Sequence, residues 1–251
     1  MSSQGGAGIG PPLVLIHGVG LDHTMWDSLR ESLDRPVITY DLLGHGDAPP
    51  LPRGSDLSTL CDQLTQFVQA PVDLVGFSLG ALIAQSFTLA HPWLVRRLVL
   101  VSGVFNRAAA ERAAIVERVE DVRDSGYLAN VAHAMDRWFS ADFSAAHPHQ
   151  HDAVLHRLLA NDVDSYANAY EIFATADVDL ARRVQAIACP TLVITGECDA
   201  RSTPAMAQAL AAAVMDGRVE IIPGARHLTP LEAPVLLGAM IEHFLGDTDG
   251  F

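Results

Sequence analysis

The chain has 251 residues, of which 49% are hydrophobic and 18% charged. That is enough apolar mass for one large core and too much for a disordered chain. A formal net charge of −14 at pH 7 speaks against nucleic acid and anionic membranes as partners and suits a small-molecule substrate.

Residues 1–11 carry neither a basic nor an apolar signal region, and are expected as a leader outside the fold. Pro12 introduces Leu13–His17, a continuous apolar strand of parallel-sheet character. The loop His17-Gly18-Val19-Gly20 ends it. Thr24 is expected to cap a helix over Met25–Leu33, with Trp26 and Leu29 on one face. Pro36–Tyr40 reads as the next strand, followed by a Gly-punctuated loop through Asp41 and His45. Asp56 caps a helix from Leu57 to about Gln69.

Val72–Val75 is a short buried strand, and Leu79–Ala90 has helical apolar spacing without proline. Between them stands Gly76-Phe77-Ser78-Leu79-Gly80, a Gly-x-Ser-x-Gly elbow. Its turn is tight enough to strain Ser78 and lift the hydroxyl above the sheet, at a helix N-terminus that favours negative charge. Gly76 and Gly80 let strand and helix pass closely. Leu98–Val101 is another buried strand, closed by Ser102.

From Phe105 to Asp179 the alternation stops. Ala108–Arg123, Tyr127–Phe139, His151–Asn161 and Ser165–Ala174 read as four helices, an insertion of the kind that caps a site. His147, His149 and His151 fall in a polar loop between them and are expected to be solvated rather than to hold a metal. Alternation resumes with Thr191–Thr195, a loop to Ala200, a helix opened by Pro204, strand Val219–Ile222, the loop Pro223–His227 and a final helix over Ala233–Phe244. Strand–helix alternation means a doubly wound, mostly parallel α/β sheet. The core is then 1–104 and 180–251, with 105–179 a helical cap or lid.

A serine hydroxyl needs a base within reach, and the base needs an orienting acid. Strand-end loops supply all three: Ser78, Asp199 and His227. Val19 and Leu79 backbone N–H groups are placed to form an oxyanion hole. Trp26, Phe77, Arg137 and Trp138 are expected to line a substrate pocket. Asp41 and His45 read as parts of a structural turn. Ser102 follows the strand Leu98–Val101 and cannot serve as an acid. No metal and no organic cofactor is required.

His17-Gly18, Asp41-Leu42-Leu43-Gly44-His45-Gly46, the elbow, Gly196-Glu197-Cys198-Asp199 and Gly224-Ala225-Arg226-His227 resemble the landmarks of the α/β hydrolase superfamily. Gly20–Trp26, Arg137-Trp138-Phe139 and Pro190–Glu197 are most similar to 3-oxoadipate enol-lactonases and small carboxylesterases. The resemblance implies a cap inserted after the family's sixth strand, and a Ser, Asp, His order of catalytic groups. It also implies an opening hairpin, which here is truncated or absent. The activity it implies is hydrolysis of a small ester or lactone. Alternatives are cleavage of a carbon–carbon bond in a vinylogous diketone, or cofactor-free oxygenase or perhydrolase chemistry. The non-enzyme alternative is a ligand-binding receptor with a vestigial site. Leu228, where carbon–carbon bond hydrolases of the family carry tryptophan, weighs against the first alternative.

Three cysteines, Cys61, Cys189 and Cys198, are odd in number and lack metal spacing. Reduced thiols in a cytoplasm are expected, with Cys198 a small buried residue. The protein is expected to be a monomer or homodimer, with no membrane span.

Overall fold

The computed structural model describes Ser3–Gln4 and residues 10–246. Its strands are β1 (Ser3–Gln4), β2 (Leu13–Ile16), β3 (Val37–Thr39), β4 (Val72–Phe77), β5 (Val95–Val101), β6 (Thr191–Gly196) and β7 (Gly217–Ile222). They form one sheet in the order β1-β3-β2-β4-β5-β6-β7. All neighbours from β3 to β7 run parallel. Only the two-residue β1 is antiparallel, pairing Ser3 with Thr39 and Gln4 with Ile38. It stands where a leader was expected and is all that is described of an opening hairpin. The rest of the expected leader up to residue 9 lies outside the described residues.

Burial explains why the strands read so clearly. Every residue of β2, β4 and β6 is buried, so each strand is an apolar run rather than an alternation. Asp73 in β4 is the exception. It is held by Arg35 at 3.2 Å and Arg96 at 2.6 Å.

Between the strands lie α1 (Asp27–Arg30), α2 (Leu57–Leu64) and α3 (Leu79–Ala90). A run of helices separates β5 from β6: α4 (Ala109–Asp121), α5 (Tyr127–Trp138), α6 (Ala141–Ala146), α7 (Pro148–Ala160), α8 (Val163–Thr175) and α9 (Asp177–Ala181). A π-helical turn over Val122–Gly126 joins α4 to α5. After β6 come α10 (Pro204–Ala213), α11 (Thr229–Glu232) and α12 (Pro234–Gly246). No described helix is long and apolar enough to cross a membrane.

Three local expectations are corrected. Asp22, not Thr24, caps the first helical turn: its carboxylate accepts from the Thr24 N–H at 2.9 Å, and the turn is 3-10 over His23–Trp26 before α1. α2 ends at Leu64, five residues short of the expected limit, although Asp56 caps it as expected, with Thr59 completing the box. His149 and His151 lie in a helix, with His147 as the residue that precedes it. Pro148 opens α7, and the His147 ring stacks on Phe143 at 4.5 Å.

The sheet reverses direction of travel at β2, whose neighbours are β3 on one side and β4 on the other. In open parallel sheets a crevice forms above the strand ends at such a point. The helices of the insertion lie over that edge: Asn168 on α8 donates to the Leu51 carbonyl at 2.9 Å, and the Leu51 N–H donates to Ser165 at 3.2 Å.

Candidate active site

Ser78 leaves β4 with φ 54° and ψ −111°, a conformation that costs a non-glycine residue of order 1–3 kcal/mol and persists only where the surroundings enforce it. They do so here. The Ser78 N–H donates to the Val101 carbonyl at 2.9 Å, and the Ala81 N–H donates to the Ser78 carbonyl at 3.0 Å. A Cβ on Gly76 would lie 2.2 Å from the Gly80 oxygen, and one on Gly80 would lie 2.2 Å from the Ile16 oxygen. Leu79 is the first residue of α3, where a backbone N–H has no intrahelical acceptor.

Asp199 follows β6 and His227 follows β7. The His227 Nδ1 lies 2.7 Å from Asp199 Oδ2. The other carboxylate oxygen accepts from the Arg201 and Ser202 N–H groups, both at 2.9 Å. Burial pushes the Asp199 carboxyl up. The nearby His227, the hydrogen bond to its ring and the two backbone donors outweigh that and hold it below the usual carboxylate value. An ionised carboxylate only accepts, so the ring donates from Nδ1 and, in its neutral form, offers the Nε2 lone pair. Phe77 and Trp138 flank the imidazole, with ring centroids 5.0 and 6.0 Å away.

Three contacts fix the loop that carries His227. The Ser102 hydroxyl donates to the His227 carbonyl at 3.0 Å, from a residue that itself has φ 47°. Glu232 accepts from the Arg226 N–H and from the Ser140 N–H, both at 2.7 Å. The Leu228 N–H also donates to the Trp138 carbonyl at 3.1 Å. Ser102→Ala is expected to cost about 1 kcal/mol in urea-induced unfolding. The cost stays small because the Thr229 N–H still serves the same carbonyl at 2.9 Å. A loss above roughly 3 kcal/mol would contradict this account.

The loop after β2 is braced by two buried histidines. The Leu42 N–H donates to His17 Nε2 at 2.9 Å, so His17 Nδ1 donates to the Gly18 carbonyl at 2.8 Å. The His45 ring lies 5.2 Å from that of His17. Burial, reinforced by His45, holds His17 far below the usual imidazole value, and burial lowers His45 to about 4. The unfolded chain therefore takes up protons that the folded one refuses. Stability is independent of these rings above about pH 6.5 and falls as pH drops toward 4, by about 1.4 kcal/mol per pH unit for each ring. Urea midpoints measured between pH 7 and 4.5 will show the decline; a flat profile would mean that the rings are not held neutral.

Asp22, His23 and Asp41 bring ligand-type atoms within 4.8 Å of one another, but their oxygens are taken. Asp22 serves Thr24 and Arg157. Asp41 accepts from the His23 N–H at 2.9 Å and from the Asp47 N–H at 3.0 Å, with the His23 ring at 2.7 Å. The set braces a turn.

Ser78, Asp199 and His227 border one cavity of about 80 Å³ between the sheet edge and the insertion. Val19, Phe77, Arg137 and Trp138 border it too. Trp26 does not. It is fully buried beneath Phe77, edge-on at 6.3 Å, so its expected place in the pocket is corrected to the core. Cys198 is also corrected: it is exposed. Among the described residues no hydrogen bond joins the Ser78 hydroxyl to His227. Such contacts are often long in an empty site and tighten on substrate. Sequence reasoning missed Arg107, Arg118, Arg201, and the α8 face of Tyr166, Tyr170 and Phe173. The 4-then-3 spacing of those aromatics was the available signal.

A parallel sheet with a strained serine elbow at its carboxyl edge, and an imidazole–carboxylate pair on the loops two and three strands away, is the architecture of α/β hydrolases. The family model described as "Alpha/beta hydrolase family" matches residues 13–238, and the chain belongs to that family. It is 32% identical to the (E)-2-((N-methylformamido)methylene)succinate hydrolase of Acinetobacter baylyi, over 96% of this chain and 92% of that protein. It is 30% identical to 3-oxoadipate enol-lactonase 2 of the same organism, over 92% and 87%. Among solved structures, a thermophilic esterase from Thermogutta terrifontis with malate bound superposes with a TM-score of 0.87 at 26% identity, covering 98% of this chain and 93% of that one.

Proposed function

We propose that the protein is a serine-dependent hydrolase of a small-molecule carboxylic ester or lactone. The observation that carries this reading is the 2.7 Å His227–Asp199 bond on the wall of the cavity that Ser78 also borders. His227 Nε2 takes the Ser78 proton as Oγ attacks the acyl carbon. The tetrahedral oxyanion is held by the Val19 and Leu79 N–H groups, and Asp199 stabilises the imidazolium. His227 then protonates the leaving oxygen, giving an acyl-enzyme. Water, deprotonated by the same ring, releases the acid and restores Ser78. The steps balance with water as the only co-reactant. Residues 105–179 act as a cap over a core of 1–104 and 180–251, excluding bulk water and setting specificity.

The esterase and the enol-lactonase among its relatives support this reading. The relative named for an enamide-bearing succinate favours a second one, hydrolysis of a bond conjugated through an alkene to a carboxylate. One panel separates them: simple esters, lactones, an enol-lactone, an N-acyl enamine and a dienone, each with wild type and Ser78→Ala. A serine-reactive phosphonate should label wild type once, at Ser78. Turnover that survives Ser78→Ala would sink both readings.

A further inference from the structure

Four arginines border the cavity. Arg107 is spoken for, since its guanidinium pairs with Asp177 at 2.9 Å. The other three have no carboxylate partner among the described residues. Arg118 reaches only the Tyr170 hydroxyl, at 3.4 Å. Among the described residues, Arg137 and the exposed Arg201 make no side-chain ion pair. The acids bordering the same space are Asp199 and Glu111. Asp199 is engaged by His227 and two backbone donors. Glu111 is exposed and accepts from the Ala108 N–H. A chain of net charge −14 thus collects three uncompensated cations around its own candidate site.

Arg137 is the informative one. It is half-buried. Burial lowers its pKa; Tyr170 opposes that, and Arg201 and Arg118 add to it. A guanidinium nevertheless stays charged. Holding a cation partly out of water without a counter-charge is unfavourable, and a carboxylate offered in the fork geometry of arginine relieves it. Arg137 directly precedes Trp138, whose ring faces His227, while Arg201 lies two residues from Asp199. An anion held there sits beside the reacting groups. In a cavity of about 80 Å³ its spacer is short.

We propose that the cavity selects esters or lactones carrying a free carboxylate, which Arg137 grips while Arg118 and Arg201 supply the surrounding positive field. This rests on the hydrolase reading above and names its substrate class.

The test compares monomethyl glutarate and monomethyl adipate with methyl pentanoate and methyl hexanoate, by acid release. Wild type should prefer the half-esters by roughly 10- to 100-fold in kcat/KM, the range a charge-assisted bond supports. Arg137→Gln should collapse that ratio toward one, mainly through KM for the half-ester, and Arg137→Lys should restore part of it. No preference in wild type would overturn the proposal. So would an Arg137→Gln protein that loses both ester types by the same factor, the outcome of a merely structural arginine.

Calorimetry of glutarate binding to the Ser78→Ala protein separates the two readings. If it binds, and Arg137→Gln abolishes binding, the anion grip stands even where no ester is hydrolysed. If esters are hydrolysed without preference and glutarate does not bind, the grip falls and the hydrolase remains.

Discussion

Ser78→Ala should lower kcat on the best ester by roughly 10⁴- to 10⁶-fold, leaving the residual rate that oxyanion donors and binding provide. The fold should survive. Alanine keeps the Cβ, so the cost of φ 54° is unchanged. The hydroxyl has no hydrogen-bond partner among the described residues, so nothing is orphaned by its removal. The unfolding midpoint should therefore move by no more than the equivalent of about 0.5 kcal/mol. The elbow contacts are all backbone: Ser78 N–H to Val101, and Ala81 N–H to Ser78. A large fall in turnover beside an unmoved midpoint is the signature of a nucleophile. Parallel falls would mean that Ser78 is structural.

Gly196→Ala should be as damaging by a different route. Gly196 ends β6, where the loops carrying Asp199 and His227 cross. A Cβ there would lie 2.2 Å from the Arg226 oxygen and 2.3 Å from the Ala225 oxygen. Both are backbone atoms in a laced segment: the Cys198 N–H donates to Ala225 and the Glu197 N–H to Ile222, each at 2.9 Å. Neither can yield as a flexible side chain would. The strands must part by about 1 Å, which would break these bonds and pull Asp199 from the imidazole. A loss of roughly 3 kcal/mol or more is expected in urea unfolding. Whatever folds should turn over at least about 100-fold more slowly, because an ångström of misplacement is that costly. A variant with wild-type midpoint and wild-type kcat/KM would refute this picture of the crossing.

The sheet was legible because its central strands are buried on both faces. Leu13–Ile16 and Thr191–Thr195 admit no reading but an apolar strand. Their limits were less so: β4 runs on through Gly76 and Phe77 because they pair with Leu100 and Val101, and pairing partners are not visible in one segment. Asp22 and Thr24 are both capping residues, and the carboxylate won because it reaches the Thr24 N–H and hydroxyl together. Pro148 opens α7 just as Pro204 opens α10, yet the histidines around it read as loop. Trp26 shows a harder limit. Its spacing marks an inward face, but whether inward means cavity or core depends on Phe77 lying across it. The same holds for Arg137: helical pattern places it on α5, and only the tertiary fold shows that no carboxylate among the described residues accompanies it.

Glu232 holds two N–H groups at once, one beside His227 and the other at the joint between α5 and α6. That single side chain is a shared hinge pin. Removing its carboxylate would leave both N–H groups without their acceptor, so the segment bearing the ring and the α5–α6 joint would loosen together.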